Sequence, residues 1–386
     1  MAADRIVILG AGFGGLTVAE ALDPVAGMGK ADVTLVDRNA IFQMGFSMQW
    51  VFAGRRRPDE GERPYSALAT RNVRFVHDEV AAIDPANRLV HTRSRRLPYD
   101  HLVLALGAEL APELVPGLGE GAYNLCDLGS VGQFRAALDS IEKGVAMIAI
   151  ASTPFKCPPA PYEYAFLAHD ILKDRGVRDK VRVVLTTPEP QPMPVAGKIV
   201  GEQVKAMMAE RGIEYLPGHK PKWVDVRART VAYENGKDLG YDVLAAMYPH
   251  RAPKVVRDAG LADESGFVPV ELGTFRTSKE GVYAIGDMAA VKLPNGSPHP
   301  KAGVFAEAQG MAVARALAAA LGGEGAEKYE GRGVCFVDTG EDKAAPAEIH
   351  LLAEGGPKVS LEAPSVEGLM GKRKFERERF LRWFGG

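Results

Sequence analysis

The sequence predicts an α/β protein with two Rossmann-like halves and a C-terminal α+β segment. Two observations carry that prediction. Near the start, RIVILGAGFGGLTVAEAL and VTLVDR give an apolar strand, a glycine-rich turn, a helix and a second strand. From Leu125 to about His250 a second alternation follows, of helix, strand, loop, helix and strand. Alternation of this kind builds parallel sheets covered by helices.

In the first half each glycine has a steric task. Gly10 makes the tight turn, Gly12 lets a phosphate approach the backbone, and Gly15 packs helix against strand. The helix N-terminus offers free N–H groups and the positive end of a dipole to a pyrophosphate. Asp37, 22 residues after Gly15, is placed to accept hydrogen bonds from a ribose. Strand, helix and acid in register make this a dinucleotide site rather than a bare turn. Residues 72–92 then alternate as short strands, and YDHLVLALGA (99–108) is a buried strand closing on Gly107, at the end where open α/β sheets bind ligands.

A linker rich in glycine and proline leads to the second half, whose opening turn is unusual. Where glycines should cradle a phosphate it carries Cys157 among Pro154, Pro158, Pro159 and Pro161, and proline has no N–H to offer. The next strand, VRVVLTT, ends on Thr186 and Thr187 without the acid that a second ribose would need. Binding of NADH there is disfavoured. A cysteine at a helix N-terminus is expected to gain thiolate character from the dipole.

GVYAIGDMAAV is a further strand, closing on Gly286 and Asp287, and PHPKAGVFAEAQGMAVARALAAAL is a loop entering an Ala-rich helix. Lys301, Gly303 and Val304 precede that helix, whose N-terminus suits negative charge. The last part holds the apolar strand GVCFVDTG, with Cys335, and the tail KRKFERERFLRWFGG. In the tail Lys372, Arg373, Lys374, Arg377, Arg379 and Arg382 oppose only Glu376 and Glu378, while Phe380, Leu381, Trp383 and Phe384 cover one side. That pattern suits adsorption to anionic headgroups, with the apolar side chains inserting. A helix docked on the protein or on a second copy would read the same way, so a homo-oligomer is compatible too. No cofactor motif lies in the tail.

At 386 residues the chain should hold two or three domains. Its net charge of -2 argues against a nucleic-acid partner. No run approaches the roughly 20 apolar residues of a membrane span. The N-terminus enters a strand within five residues, without room for a signal. The expected location is therefore cytoplasmic, soluble or peripheral to the membrane. Three cysteines, Cys126, Cys157 and Cys335, are too few for a disulfide scaffold, and the eight histidines show no HExxH or other ligand spacing, so no metal is expected.

GAGFGG, YDHLVLALGA and GVYAIGD together resemble the two-dinucleotide-binding-domain flavoproteins. The resemblance implies a discontinuous FAD domain (1–110 and 270–325), an inserted second domain (111–269) and a C-terminal segment (326–386). Within that group KCPPAPYE, MYPHRAP, HPKAG and CFVDTG are similar to sulfide:quinone oxidoreductases and to the flavoprotein subunit of flavocytochrome c sulfide dehydrogenase. The FAD site this implies comprises Gly10, Gly12, Gly15, Asp37, Arg38, Val80, Gly107, Asp287, Lys301, Gly303 and Val304. The implied chemistry is oxidation of sulfide to sulfur or polysulfide by a redox pair, Cys157 and Cys335, with electrons passing to a quinone. Cys126 matches a third cysteine of the quinone-reducing members. Glu163, six residues after Cys157, either moves protons or simply favours the helix dipole. The cysteine that tethers FAD in the flavocytochrome relatives would fall near Gly45, where there is none, so the flavin is expected to be noncovalent. Two rivals stand beside this reading. One is a type II NADH:quinone oxidoreductase, and the other a flavoprotein subunit or persulfide sensor passing electrons to a partner cytochrome.

Overall fold

The computed structural model describes residues 3–322 and 328–385; the domain boundary expected at 325/326 lies outside them. Strand β1 (Asp4–Leu9) runs through the Gly turn into helix α1 (Phe13–Gly27) and returns as the parallel β2 (Ala31–Asp37). Strands β3 (Arg74–His77) and β4 (His101–Leu104) extend this sheet on either side. The core strands are apolar on both faces: α1 packs on one through Leu16 and Leu22, and a three-stranded antiparallel sheet (80–98) packs on the other through Ile83, Val90 and Leu97.

The second sheet is parallel throughout, in the order β5 (Tyr123–Asn124), β9 (Val243–Met247), β6 (Gly144–Ile150), β7 (Val181–Thr186), β8 (Glu214–Leu216). The chain then returns to the first sheet: β10 (Val282–Ala284) pairs with β4 and completes the order β10-β4-β1-β2-β3. The first sheet is thus assembled from both sides of the second.

Four helices position the site: α2 (Ser47–Phe52), α3 (Ala160–Asp174), α4 (Gly303–Ala320) and α5 (Val366–Phe384). Helices α1 and α4 approach closely at Gly14 and Gly310, where a Cβ on Gly310 would stand 2.7 Å from the Gly14 carbonyl oxygen. An antiparallel sheet, β11 (Arg332–Gly340), β12 (Lys343–His350) and β13 (Lys358–Leu361), carries Cys335 and supports α5.

Helix α5 starts where the Ser365 hydroxyl accepts from Gly368 N at 2.9 Å, and it stops at Gly385, which takes φ +78°. Its buried face, Leu369, Lys372, Glu376, Phe380 and Trp383, follows helical spacing. The aromatic side of the tail therefore does not face lipid. Trp383, 1% exposed, packs with Phe380 and Phe384 on Phe13, Phe42 and Tyr65 of the first half. Basic residues pin the same face. Arg56 forks onto Glu376 through two contacts of 2.6 Å, and Arg379 and Arg382 both bind Glu307. Of the two readings of this amphipathic tail, the docked helix is the one the fold adopts, because the first half supplies a matching aromatic recess.

Candidate active site

A cavity of about 1170 Å³ runs from the Gly turn of the first sheet to the three cysteines. It exceeds the roughly 300–1,000 Å³ of a drug-sized ligand pocket, as an extended dinucleotide requires. At one end, Gly10 takes φ +97° and a Cβ there would strike the Ala105 carbonyl, while a Cβ on Gly15 would fall on the Gly10 carbonyl. These two glycines close the turn. Gly12 differs: its Cβ direction meets no protein atom within 4 Å and opens on the cavity. That is the space a pyrophosphate needs. Asp37 Oδ2 accepts from Ala11 N at 2.7 Å and Oδ1 from Asn39 N at 2.8 Å, so the carboxylate also holds the turn in shape. Arg38, Val80, Gly107, Asp287, Gly303 and Val304 all line the cavity. The exposed Arg38 lies 3.9 Å from Glu79 at its mouth.

Lys301 lines the cavity as well, but its ammonium is bound by protein. Nζ donates to the Asp287 carbonyl at 2.6 Å and the Ala289 carbonyl at 3.1 Å, above the Phe267 ring. Burial lowers its pKa to about 8 against the pull of Asp287. Its backbone is what reaches the sulfur site, since the Lys301 carbonyl accepts from Cys157 N at 2.7 Å.

At the other end, Cys126, Cys157 and Cys335 face the same cavity, from the loop before residue 128, the proline-rich turn and β11. All three are free thiols and half-buried. Cys157 stands at φ +55°, a region that non-glycine residues seldom occupy. It precedes α3 rather than capping it; Pro159 holds the cap position. Burial works against the thiolate character expected from the helix dipole. Burial pushes the Cys157 thiol up, Glu163 adds to it and only Lys372 opposes. The same two groups act on Cys335, whose thiol burial raises to about 12. Desolvation also raises Cys126, with Lys156 opposing.

Between the thiols and α5 lies an ionic cluster. Glu163 (1% exposed) accepts from Lys372 Nζ at 2.6 Å, from Asp338 N at 2.8 Å and from Gln49 Nε2 at 3.2 Å. Asp338 in turn accepts from Arg55 and from Trp50 Nε1 at 3.2 Å. Glu163 is therefore more than a first-turn acid. Burial raises its pKa despite Lys372, whereas Lys372, although burial works against its charge, is held above the usual lysine range by Glu163 and Asp338. The sequence reading missed Lys372 as a site residue, along with Phe375, Phe336, Gln49 and Lys156 of the same lining. The amphipathic period of α5 was the available signal for Lys372; nothing local marks Gln49.

Residues 4–153 and 159–313 match the family described as pyridine nucleotide-disulphide oxidoreductase. The chain belongs to that family. The two matched stretches of this pyridine nucleotide-disulphide oxidoreductase leave out 154–158, the segment that carries Cys157. Such a fold implies a flavin cofactor, and the glycine cradle fits one. Among curated proteins the chain is similar to the mitochondrial sulfide:quinone oxidoreductase of Dictyostelium discoideum (28% identical, covering 89% of this chain and 77% of the relative). It is also similar to the sulfide-quinone reductase of Aquifex aeolicus (26%, covering 88% and 82%). The type II NADH:quinone oxidoreductase of Staphylococcus haemolyticus is 24% identical, with 88% and 87% covered. The fold matches that of the Aquifex aeolicus sulfide:quinone oxidoreductase with a TM-score of 0.86 at 23% identity, covering 98% of this chain and 92% of that one. The resemblance read from KCPPAPYE, HPKAG and CFVDTG and the α/β fold expected with it are both borne out.

Proposed function

We propose that this pyridine nucleotide-disulphide oxidoreductase holds FAD noncovalently and oxidises sulfide to sulfur or polysulfide, passing the electrons to a quinone. The observation that carries the reading is that Cys157 and Cys335, from elements far apart in sequence, face one dinucleotide cavity together with Glu163 and Lys372. Gly10, Gly12, Gly15, Asp37, Gly107, Asp287, Gly303 and Val304 would hold the FAD, which when bound accepts the electron pair of sulfide and delivers it to quinone.

The residues do the sulfur chemistry. Hydrosulfide attacks one sulfur of an oxidised Cys157–Cys335 pair; an S–S bond to substrate forms, the Cys–Cys bond breaks, and the second cysteine leaves as thiolate. The Lys301 carbonyl fixes the backbone of Cys157. Cys126 is a third thiol on the same wall.

A nicotinamide donor is the weaker reading. The turn before α3 has no phosphate cradle, and the nearest acid, Glu189, accepts from the Tyr162 hydroxyl at 3.3 Å and the Thr187 hydroxyl at 3.5 Å. Among the described residues no helix is long and apolar enough to cross a membrane. Lipid contact, if the quinone is membrane-borne, falls to the outer face of α5, where Met370 (61%) and Leu381 (52%) flank the exposed Arg373, Lys374 and Arg377. An anaerobic sulfide titration followed by flavin absorbance, then by added quinone, tests the whole reading. A flavin that sulfide leaves oxidised would refute it.

A further inference from the structure

We propose that Lys156 is the specificity-determining cation of the thiol end: its ammonium selects small anions over neutral molecules of like size at the Cys126 side of the cavity. On the sulfide reading above, on which this clause rests, the anions so selected are hydrosulfide and the polysulfide formed from it.

The other cations of the cavity wall are engaged. Arg38 lies 3.9 Å from Glu79, Lys254 pairs with Asp258, Lys301 donates to the Asp287 and Ala289 carbonyls, and Lys372 donates to Glu163 at 2.6 Å. Lys156 lines the same wall, and among the described residues its ammonium has no hydrogen-bond or ion-pair partner. A charge left unpaired in a cleft keeps its field, and low-dielectric walls focus it on the opening. An anion arriving beside it exchanges hydration for a charge partner. On apolar wall it would be desolvated without compensation.

The backbone fixes where this charge enters. Lys156 bridges to Lys301 in parallel register, and the next residue, Cys157, donates its N–H to the Lys301 carbonyl at 2.7 Å. The thiol it serves is Cys126. Burial raises the Cys126 thiol, and the first charge acting on it is Lys156, ahead of the opposing Asp287 and Asp127. Cys157 and Cys335 answer instead to Glu163 and Lys372, which are paired with each other.

His250 does not compete for the role. Its Nδ1 meets the Tyr248 carbonyl at 2.6 Å and therefore carries the proton, while the buried Nε2 has no partner. Burial lowers its pKa to about 3, and Lys156 adds to the effect. The imidazole is uncharged near neutrality, which leaves Lys156 as the unpaired cation of that wall.

Two alkylating reagents of nearly the same size test the selection: iodoacetate is an anion, and iodoacetamide is neutral. In the phosphine-reduced holoenzyme at low salt, peptide mass spectrometry gives the rate of each reagent at each cysteine. Their ratio cancels differences in thiol acidity and access. Lys156→Met should lower the iodoacetate-to-iodoacetamide ratio at Cys126 about fivefold or more, and Lys156→Arg should keep it. The ratio at Cys335 in the same samples should change less. Salt should act on the wild type as the substitution does, because the screening length falls from about 30 Å at 0.01 M to about 3 Å at 1 M.

A ratio at Cys126 that Lys156→Met leaves unaltered overturns the proposal, and so does a Cys126 that neither reagent reaches. Loss of flavin with an unaltered ratio would assign the ammonium to the cofactor and sink the proposal equally. Where the variant fails to fold, the wild-type salt series decides, and a ratio independent of salt is the refuting result. No sulfide enters the measurement, so failure of flavin bleaching and failure of the anion preference are separate results.

Discussion

Phe13, in the glycine turn, and Trp383, in the last turn of α5, meet edge to face with ring centroids 5.2 Å apart. A residue of the cofactor loop is thus packed by the far end of the chain. With Lys372 and Phe375 lining the cavity, helix α5 is part of the wall of the proposed cofactor site rather than an appendage to it.

Deleting residues from Lys372 onward should therefore yield protein with little flavin, measured as the ratio of flavin to protein absorbance after purification. The sequence alone led to the opposite expectation, since no cofactor motif lies in the tail. Full flavin content in the truncated chain would show the packing at Phe13 to be dispensable.

Lipid contact is better tested on the outer face. Met370→Glu with Leu381→Glu should lower cosedimentation with anionic vesicles several-fold by removing inserted apolar surface and adding charge repulsion. Flavin content should stay unchanged, because both side chains point away from the core. Equal sedimentation of the two proteins would place membrane binding elsewhere.

Gly12→Val should fold normally yet purify without flavin. Its Cβ meets nothing of the protein within 4 Å, so the added bulk occupies only the space of the pyrophosphate. Circular dichroism and the flavin spectrum separate the two effects. A yellow Gly12→Val protein would move the phosphate site.

Cys157→Ser should bind FAD and fail to bleach with sulfide, because a hydroxyl forms neither disulfide nor persulfide. Cys335→Ser should be comparably impaired, and the double variant little worse than either, as for residues that act as a unit. Cys126→Ser should cost less. Near-normal sulfide-driven reduction in Cys157→Ser would remove that thiol from the mechanism.

The buried His299 gives a pH prediction. Burial lowers its pKa to about 4 from the ordinary 6.5, while its ring nitrogens bond the Tyr329 hydroxyl at 2.7 Å and the Pro300 carbonyl at 2.9 Å. With the folded pKa below the unfolded one, the unfolded state binds the proton more readily, so acid removes stability between pH 6.5 and about 4. A shift of that size corresponds to roughly 3 kcal/mol if fully expressed. His299→Phe should flatten denaturant midpoints across that window. An unaltered pH slope would mean that the imidazole titrates alike in the folded and unfolded states.

The first half was legible because its signal is local. Gly10, Gly12, Gly15 and Asp37 sit within one strand-turn-helix-strand unit whose spacing encodes the geometry. Cys157 was legible as an oddity in its turn, whereas its protonation was not. The dipole argument used its neighbours in sequence, but burial and charges from Glu163 and Lys372 decide it, and Lys372 lies more than two hundred residues away. The tail misled for a related reason: an amphipathic period names a buried face without naming what buries it. The position of Lys301 was legible, but not the carbonyls of Asp287 and Ala289 that bind its ammonium.

The return of β10 to the first sheet, followed by α4, β11 and α5, has a consequence for biosynthesis. The cavity wall is drawn from residues as early as Gly10 and as late as Phe375. No nascent fragment contains the whole wall, however well its glycine turn has folded. Capture of the cofactor is thus expected only after synthesis has passed Phe375, and a chain released before that point should be colourless.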